Sequence, residues 1–222
     1  MLVKGWMTTD VITIDEDTSM MKAGQIMKEN GISRLPVMKN GKVVGIITDR
    51  DIKEASPSKA TTLDVHELYY LLSELKVKDI MAKRVITCKA DDTVEKAAVI
   101  MLESNVSGLP VLDDSGKLVG IISKGDVFKV LISITGIYRG GVQFAFNLPD
   151  RPGTIKEVAD VIRKHGASMV SILTSYDSCE EDCRHVFIRI ADMPKEKVDA
   201  LTKDLDENFI LLYTVKDVLG QI

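Results

Sequence analysis

Two seven-residue stretches carry side chains suited to binding chemistry: Gly45-Ile46-Ile47-Thr48-Asp49-Arg50-Asp51 and Gly120-Ile121-Ile122-Ser123-Lys124-Gly125-Asp126. In each, a β-branched run ends on a hydroxyl residue and an aspartate follows three positions later, the pattern of a strand, a turn and a helix start. Thr48 and Ser123 are placed to cap the helix, beside backbone N–H groups without intrahelical partners and at the positive end of the helix dipole. A phosphate arriving there would meet donors. Asp51 or Asp126, one turn on, would face the same side with a carboxylate able to accept from two neighbouring sugar hydroxyls. The same residues also describe an ordinary N-cap with an acidic first turn. A single occurrence leaves both readings open; duplication favours one binding role used twice.

The elements that must position these stretches are duplicated too. Val3-Lys4-Gly5-Trp6-Met7 matches Val77-Lys78-Asp79-Ile80-Met81 at a spacing of 74 residues, and Val11-Ile12-Thr13 matches Val85-Ile86-Thr87. Ile32-Ser33-Arg34-Leu35-Pro36-Val37 answers Val106-Ser107-Gly108-Leu109-Pro110-Val111, and one extra residue in the Asp114-Ser115-Gly116 turn shifts the register before the second anchor. Two copies of one supersecondary unit follow, neither able to bury its apolar face alone. Val94, Ala97, Ala98, Met101 and Leu102 recur at helical spacing after Thr93, and Met20, Ala23 and Met27 do so after Thr18. Leu35 to Ile47 reads as a hairpin turning at Asn40-Gly41, with Pro36 held to a strand start or edge. Each unit is therefore strand, helix, strand, strand, helix.

Bulk properties narrow the function. The 222 residues carry 45% hydrophobic content and a net charge of −4, with both signs interspersed, which speaks against a phosphate-tracking nucleic-acid surface. Apolar runs such as Phe209 to Tyr213 fall far short of the roughly 20 residues that span a bilayer. The opening residues Met1 to Trp6 lack a signal-peptide core, so the expectation is a soluble cytoplasmic protein without a membrane partner. Three cysteines fit a reducing compartment; Cys179, Cys183 and His185 cluster in an acidic loop but lack a fourth metal ligand, so they read as structural or incidental. No phosphate-binding loop, dinucleotide turn or nucleophile–base pair points to catalysis.

The paired motifs, over about residues 1–134, resemble a tandem pair of cystathionine-β-synthase (CBS) domains. The resemblance implies two clefts related by a pseudo-two-fold axis that take adenosine ligands: AMP, ADP, ATP or S-adenosylmethionine, as regulatory ligands rather than cofactors. By that resemblance Asp51 and Asp126 hold ribose, and Thr48 and Ser123 meet phosphate. Thr13, Ile14, Ser33 and Leu35 line the base pocket, with Thr87, Cys88, Ser107 and Leu109 in the second copy, and Pro36 and Pro110 join them as nucleotide-binding positions. Arg34 and Arg50 stand where the second copy has Gly108 and Gly125, leaving Lys124 as its single point charge. The forked arginine donors suit phosphate, so the first cleft is expected to bind more tightly.

Between the copies, Ala55 to Thr62 is a polar loop, and Val65, Leu68, Tyr69 and Leu72 recur as an amphipathic connecting helix over 63–76. Beyond Gly140-Gly141 the pattern changes to strand, helix, strand, strand, helix, strand, with the turn Asn147-Leu148-Pro149-Asp150-Arg151-Pro152-Gly153 after the first strand. Pro152 fits an early helix position. This order resembles an ACT domain over 141–217, a ferredoxin-like module that pairs and binds amino acids. Its ligand loop would map to Asn147, Leu148, Asp150, Arg151, Gly153 and Thr154; the same turn equally serves as a helix cap. The expected division is 1–62 and 77–136 for the CBS domains and 141–217 for the ACT domain, an α/β (α+β) chain. The whole arrangement resembles acetoin-utilisation regulatory (AcuB-like) proteins, which implies a non-catalytic homodimeric sensor acting on a regulated protein; a ligand-free dimerisation scaffold is the alternative.

Overall fold

The computed structural model describes residues 1–56, 74–177, 179 and 182–217, and the chain divides into two compact units, Met1–Val127 and Phe128–Ile222. The connecting helix expected over 63–76 lies almost wholly outside the described residues. In the first unit the duplicated sequence folds as two duplicated sheets. The first repeat runs β1 (Ile14–Asp15), α1 (Met20–Asn30), β2 (Arg34–Lys39), β3 (Lys42–Thr48) and α2 (Asp49–Ala55). The second runs α3 (Val77–Ile80), β4 (Cys88–Lys89), α4 (Val94–Glu103), β5 (Gly108–Leu112), β6 (Leu118–Ser123) and α5 (Lys124–Thr135). The sheets are ordered β1-β2-β3 and β4-β5-β6, each with one parallel and one antiparallel pair.

Local chemistry explains the elements. Asn40 and Gly41 both have positive φ, 50° and 76°, as a two-residue hairpin turn requires. Thr93 caps α4, but Ser19 rather than Thr18 caps α1, its side chain accepting from the Lys22 N–H. Met20, Ala23 and Met27 are buried as their spacing predicts; Leu102, by contrast, is 72% exposed, so the apolar face of α4 is narrower than its sequence suggests. Pro36 sits inside a six-residue strand. It is tolerated there because the parallel pairing with β1 begins only at Val37.

The two repeats exchange their leading segments. Ala82 pairs with Ile46 of the first repeat, and Thr8, its counterpart, pairs with Ile121 of the second. Leu2 pairs with Thr93, and Lys76 with Ser19, in the same relation. Val77 is fully buried in the first repeat's core with Ile14, Leu35, Val37 and Ile47. Gly45 and Gly120 leave the space into which the Met81 and Met7 thioethers reach; a Cβ at either glycine would overlap the sulfur.

The second unit holds β7 (Val142–Pro149), α6 (Thr154–Lys164), β8 (Met169–Ser175), β9 (Cys183–Ile190), α7 (Lys195–Asn208) and β10 (Ile210–Lys216). The sheet order β10-β7-β9-β8, antiparallel throughout, is the ferredoxin-like arrangement. Phe144, Phe146, Ile188, Val158, Ile162, Leu201 and Leu205 form its core. The two compact units divide at Val127 and Phe128, within α5. The Thr135 carbonyl accepts from Ser171 Oγ at 2.9 Å and Arg189 Nε at 3.2 Å, so residues after Val127 pack with the C-terminal sheet. Pro152 also falls outside α6: Gly153, at φ 94°, takes the cap position and Thr154 begins the helix.

Candidate functional site

The anchor stretches fold alike. Thr48 Oγ1 accepts from the Asp51 N–H at 3.3 Å, while Asp51 Oδ2 accepts from the Thr48 N–H and hydroxyl, both at 2.7 Å. Asp126 Oδ2 accepts from the Ser123 N–H at 2.9 Å and its hydroxyl at 2.7 Å. Each carboxylate therefore closes a capping box, and each hydroxyl hydrogen is already given to it. Both carboxylates nevertheless face a cleft. The cap and the cleft use the same side chains.

Each cleft combines an anchor from one repeat with the leading segment of the other, a direct result of the exchange. The Asp51 cleft, about 390 Å³, sets Thr48, Arg50 and Asp51 against Ala82, Arg84, Ile86 and the Asn105–Gly108 turn. The Asp126 cleft, about 500 Å³, sets Ser123, Lys124 and Asp126 against Thr8, Asp10, Val11, Ile12 and the Gly31–Arg34 turn. Both volumes suit a small ligand. Ser33, Arg34 and Ser107 line both clefts.

The clefts differ in charge at matched positions. Arg84 stands where the other cleft has Asp10, and Arg50 where it has Gly125. Counting Arg34 in each, the Asp51 cleft carries one positive charge in excess and the Asp126 cleft is balanced. Arg50 leans on Glu54 at 2.8 Å, which raises its pKa; Asp49 is held below its usual range by a hydrogen bond from Lys53. Asp49 and Arg50 are thus each paired within α2, and the other two cations lining this cleft are Arg34 and Arg84.

Not every sequence-predicted position reaches a cleft. Leu35 and Leu109 are fully buried, Ile14 and Cys88 nearly so, and their side chains pack in the cores. Burial pushes the Cys88 thiol up to about 11. Pro36 and its counterpart Pro110 are both buried, and Pro36 also borders the Asp126 cleft; Thr13 borders a smaller cavity with Thr9 and Lys117. Thr87 is half-buried beside β4. Sequence reasoning missed Arg84 and Asp10. Extending the 74-residue comparison one step before Val11 and Val85 would have set them opposite each other.

In the C-terminal unit the 147–154 turn is satisfied internally. Arg151 makes a two-pronged pair with Glu157 at 2.9 and 3.0 Å, and the Thr154 hydroxyl donates to the Arg151 carbonyl at 2.7 Å. The Asp150 N–H bonds the Asp182 carbonyl, its carboxylate lies 3.5 Å from Arg184, and Leu148 is core. Asn147 is half-buried on β7. Cys179 and Cys183 form a disulfide that closes the β8–β9 hairpin, so neither offers a thiolate to a metal. Among the described residues no cluster of three metal-ligating side chains exists, and no helix is long and apolar enough to cross a membrane.

The duplicated sheets and exchanged segments, with a capped aspartate in each cleft, define a paired module, and the CBS domain family model matches residues 3–58 and 77–133: the chain belongs to that family. Its similarity extends to a homoserine O-acetyltransferase of Methanosalsum zhilinae, 40% identical over 126 residues, which are 56% of this chain but 23% of that protein. The chain thus matches less than a quarter of that relative's length. Among solved structures, the CBS domain pair of protein MJ0100 in complex with 5′-methylthioadenosine and S-adenosyl-L-methionine is similar at 32% identity and TM-score 0.50, covering 59% of this chain and 95% of that one. CBSX2 of Arabidopsis thaliana, in complex with AMP, is similar at 28% identity and TM-score 0.50, covering 60% and 98%.

Proposed function

We propose that this protein is a non-catalytic sensor that takes an adenosine ligand in the clefts of its CBS pair. The observation that carries the reading is the recurrence, in two clefts, of a capped aspartate facing an arginine-bearing wall; the adenosine ligands of the two similar structures supply the ligand class. Asp51 and Asp126 accept from ribose hydroxyls; Arg34, Arg50 and Arg84 meet phosphate in the Asp51 cleft, which binds AMP, ADP or ATP more tightly than the Asp126 cleft. A cationic S-adenosylmethionine gains less from that wall. The C-terminal unit acts as an ACT-type module that pairs two copies into a homodimer, takes an amino acid at the 147–154 turn, and passes the signal to a regulated protein in the cytoplasm. The acetoin-utilisation role rests on the resemblance of the domain order and of the 58–69 connector sequence, which lies outside the described residues.

A second reading, a ligand-free dimerisation scaffold, is favoured by one observation: each anchor carboxylate already serves a capping box, and the 147–154 turn is internally paired. Thermal denaturation with AMP, ADP, ATP, S-adenosylmethionine and a panel of amino acids separates the two. A ligand at about 100 times its dissociation constant adds roughly 2.7 kcal/mol to the folded state. A shift with an adenosine ligand that is reduced more by Asp51→Ala than by Asp126→Ala supports the sensor; no shift with any compound supports the scaffold.

A further inference from the structure

Arg34 begins β2 and crosses to the second repeat. Its Nη1 donates to the Ser107 carbonyl, and Nη2 donates to Ser107 Oγ at 2.6 Å and Ser33 Oγ at 3.4 Å. Ser33 and Ser107 are the same position of the two repeats, so the guanidinium lies where the repeats meet. Gly108, the counterpart of Arg34, makes the room: a Cβ there would run into the guanidinium and lie 3.1 Å from its Cδ. One cation therefore occupies a position that strict symmetry would give to two or to none, and it borders both clefts.

We propose that Arg34 couples the clefts, so that a phosphate-bearing ligand in the Asp51 cleft weakens the binding of a second one in the Asp126 cleft. The proposal rests on the adenosine-ligand reading above and adds its regulation. Burial disfavours the charged guanidinium and lowers its pKa, while Asp49 beside the first cleft and Asp126 in the second offset this in part, so a partly desolvated charge faces a carboxylate on either side. A phosphate in the Asp51 cleft neutralises it. The Asp126 cleft then keeps Asp10 and Asp126 against Lys124 alone, a net negative site for the next anion. A ligand without phosphate leaves Arg34 as it was. Occupancy is thus ordered for nucleotides and independent for nucleosides.

Titration calorimetry on the full chain tests this with AMP and adenosine. In wild type the second AMP step is expected about tenfold weaker than the single remaining step in Asp51→Ala, a coupling of about 1.4 kcal/mol. Arg34→Met keeps the stem over Gly108 without the charge and reduces that ratio to about twofold or less; Arg34→Lys keeps the ratio. Adenosine shows no such difference in any variant. Equal dissociation constants for the second wild-type step and the Asp51→Ala step, or a tenfold ratio that survives Arg34→Met, overturn the coupling while leaving the adenosine sites standing. No heat with either compound overturns both.

Discussion

The capping box and the ribose contact call on the same carboxylate, and separate substitutions pull them apart. Thr48→Ala removes the hydroxyl that accepts from the Asp51 N–H and donates to Asp51 Oδ2, but leaves the carboxylate in the cleft. The loss of an N-cap side chain is worth about 1 kcal/mol of stability. Asp51→Ala breaks the other half of the box, the 2.7 Å bond from the Thr48 N–H, and destabilises to a similar degree. In binding they diverge. If the carboxylate accepts from two ribose hydroxyls at about 1.5 kcal/mol each, Asp51→Ala weakens AMP by about 3 kcal/mol, on the order of a hundredfold, and Thr48→Ala by about threefold or less. Thermal midpoints read the cap and titration calorimetry reads the contact. Equal loss of affinity in the two variants would show that Asp51 matters only by holding the helix start, and the ribose assignment would fall.

Three further outcomes follow from the packing. Val77→Ala, which opens space in the first repeat's core, should destabilise the first unit by about 1.5–3 kcal/mol as one cooperative urea transition; separate transitions for the two repeats would contradict the exchange. Gly141→Ala places a side chain at φ 84° against the Ile190 carbonyl, a neighbour in the sheet backbone that cannot yield, and should lower the calorimetric stability of the second unit by about 2–4 kcal/mol; an unchanged midpoint counts against this packing. Cys88, protonated in the fold up to about pH 11, should resist iodoacetamide at pH 8 unless the chain is unfolded by urea. Because its folded pKa is raised, its share of stability is present below the ordinary thiol range and is lost as pH climbs from about 9 to 11; alkylation at the rate of a free thiol would refute its burial.

Much of this was legible because the repeat is written twice. The duplicated anchors set the strand–turn–helix order, and the hairpin at Asn40-Gly41 follows from two residues that accept positive φ. The exchange of leading segments was not legible, since periodicity reports which face of an element is apolar but not which neighbour covers it. For the same reason the motif brought Leu35 and Leu109 into the expected base pocket, where the pleat turns their side chains into the core. Arg84 carries no local pattern; only its place opposite Asp10 gives it meaning. In the C-terminal unit the succession of strands and helices followed from the periodicity, whereas the partners of the 147–154 turn, Glu157, Asp182 and Arg184, lie outside the turn itself.

The exchanged segments also govern how the chain comes together in time. Thr8 finds its partner at Ile121, and the Val3 N–H its acceptor at Asp92. During synthesis the opening residues must therefore wait, unpaired, until most of the second repeat has left the ribosome. Neither repeat completes its own sheet surroundings first. Pairing Thr8 with Ile121 closes a loop of more than a hundred residues, an entropic cost that local pairs do not carry, and anything that lengthens the pause before Ile121 emerges extends the exposure of the Met7 thioether.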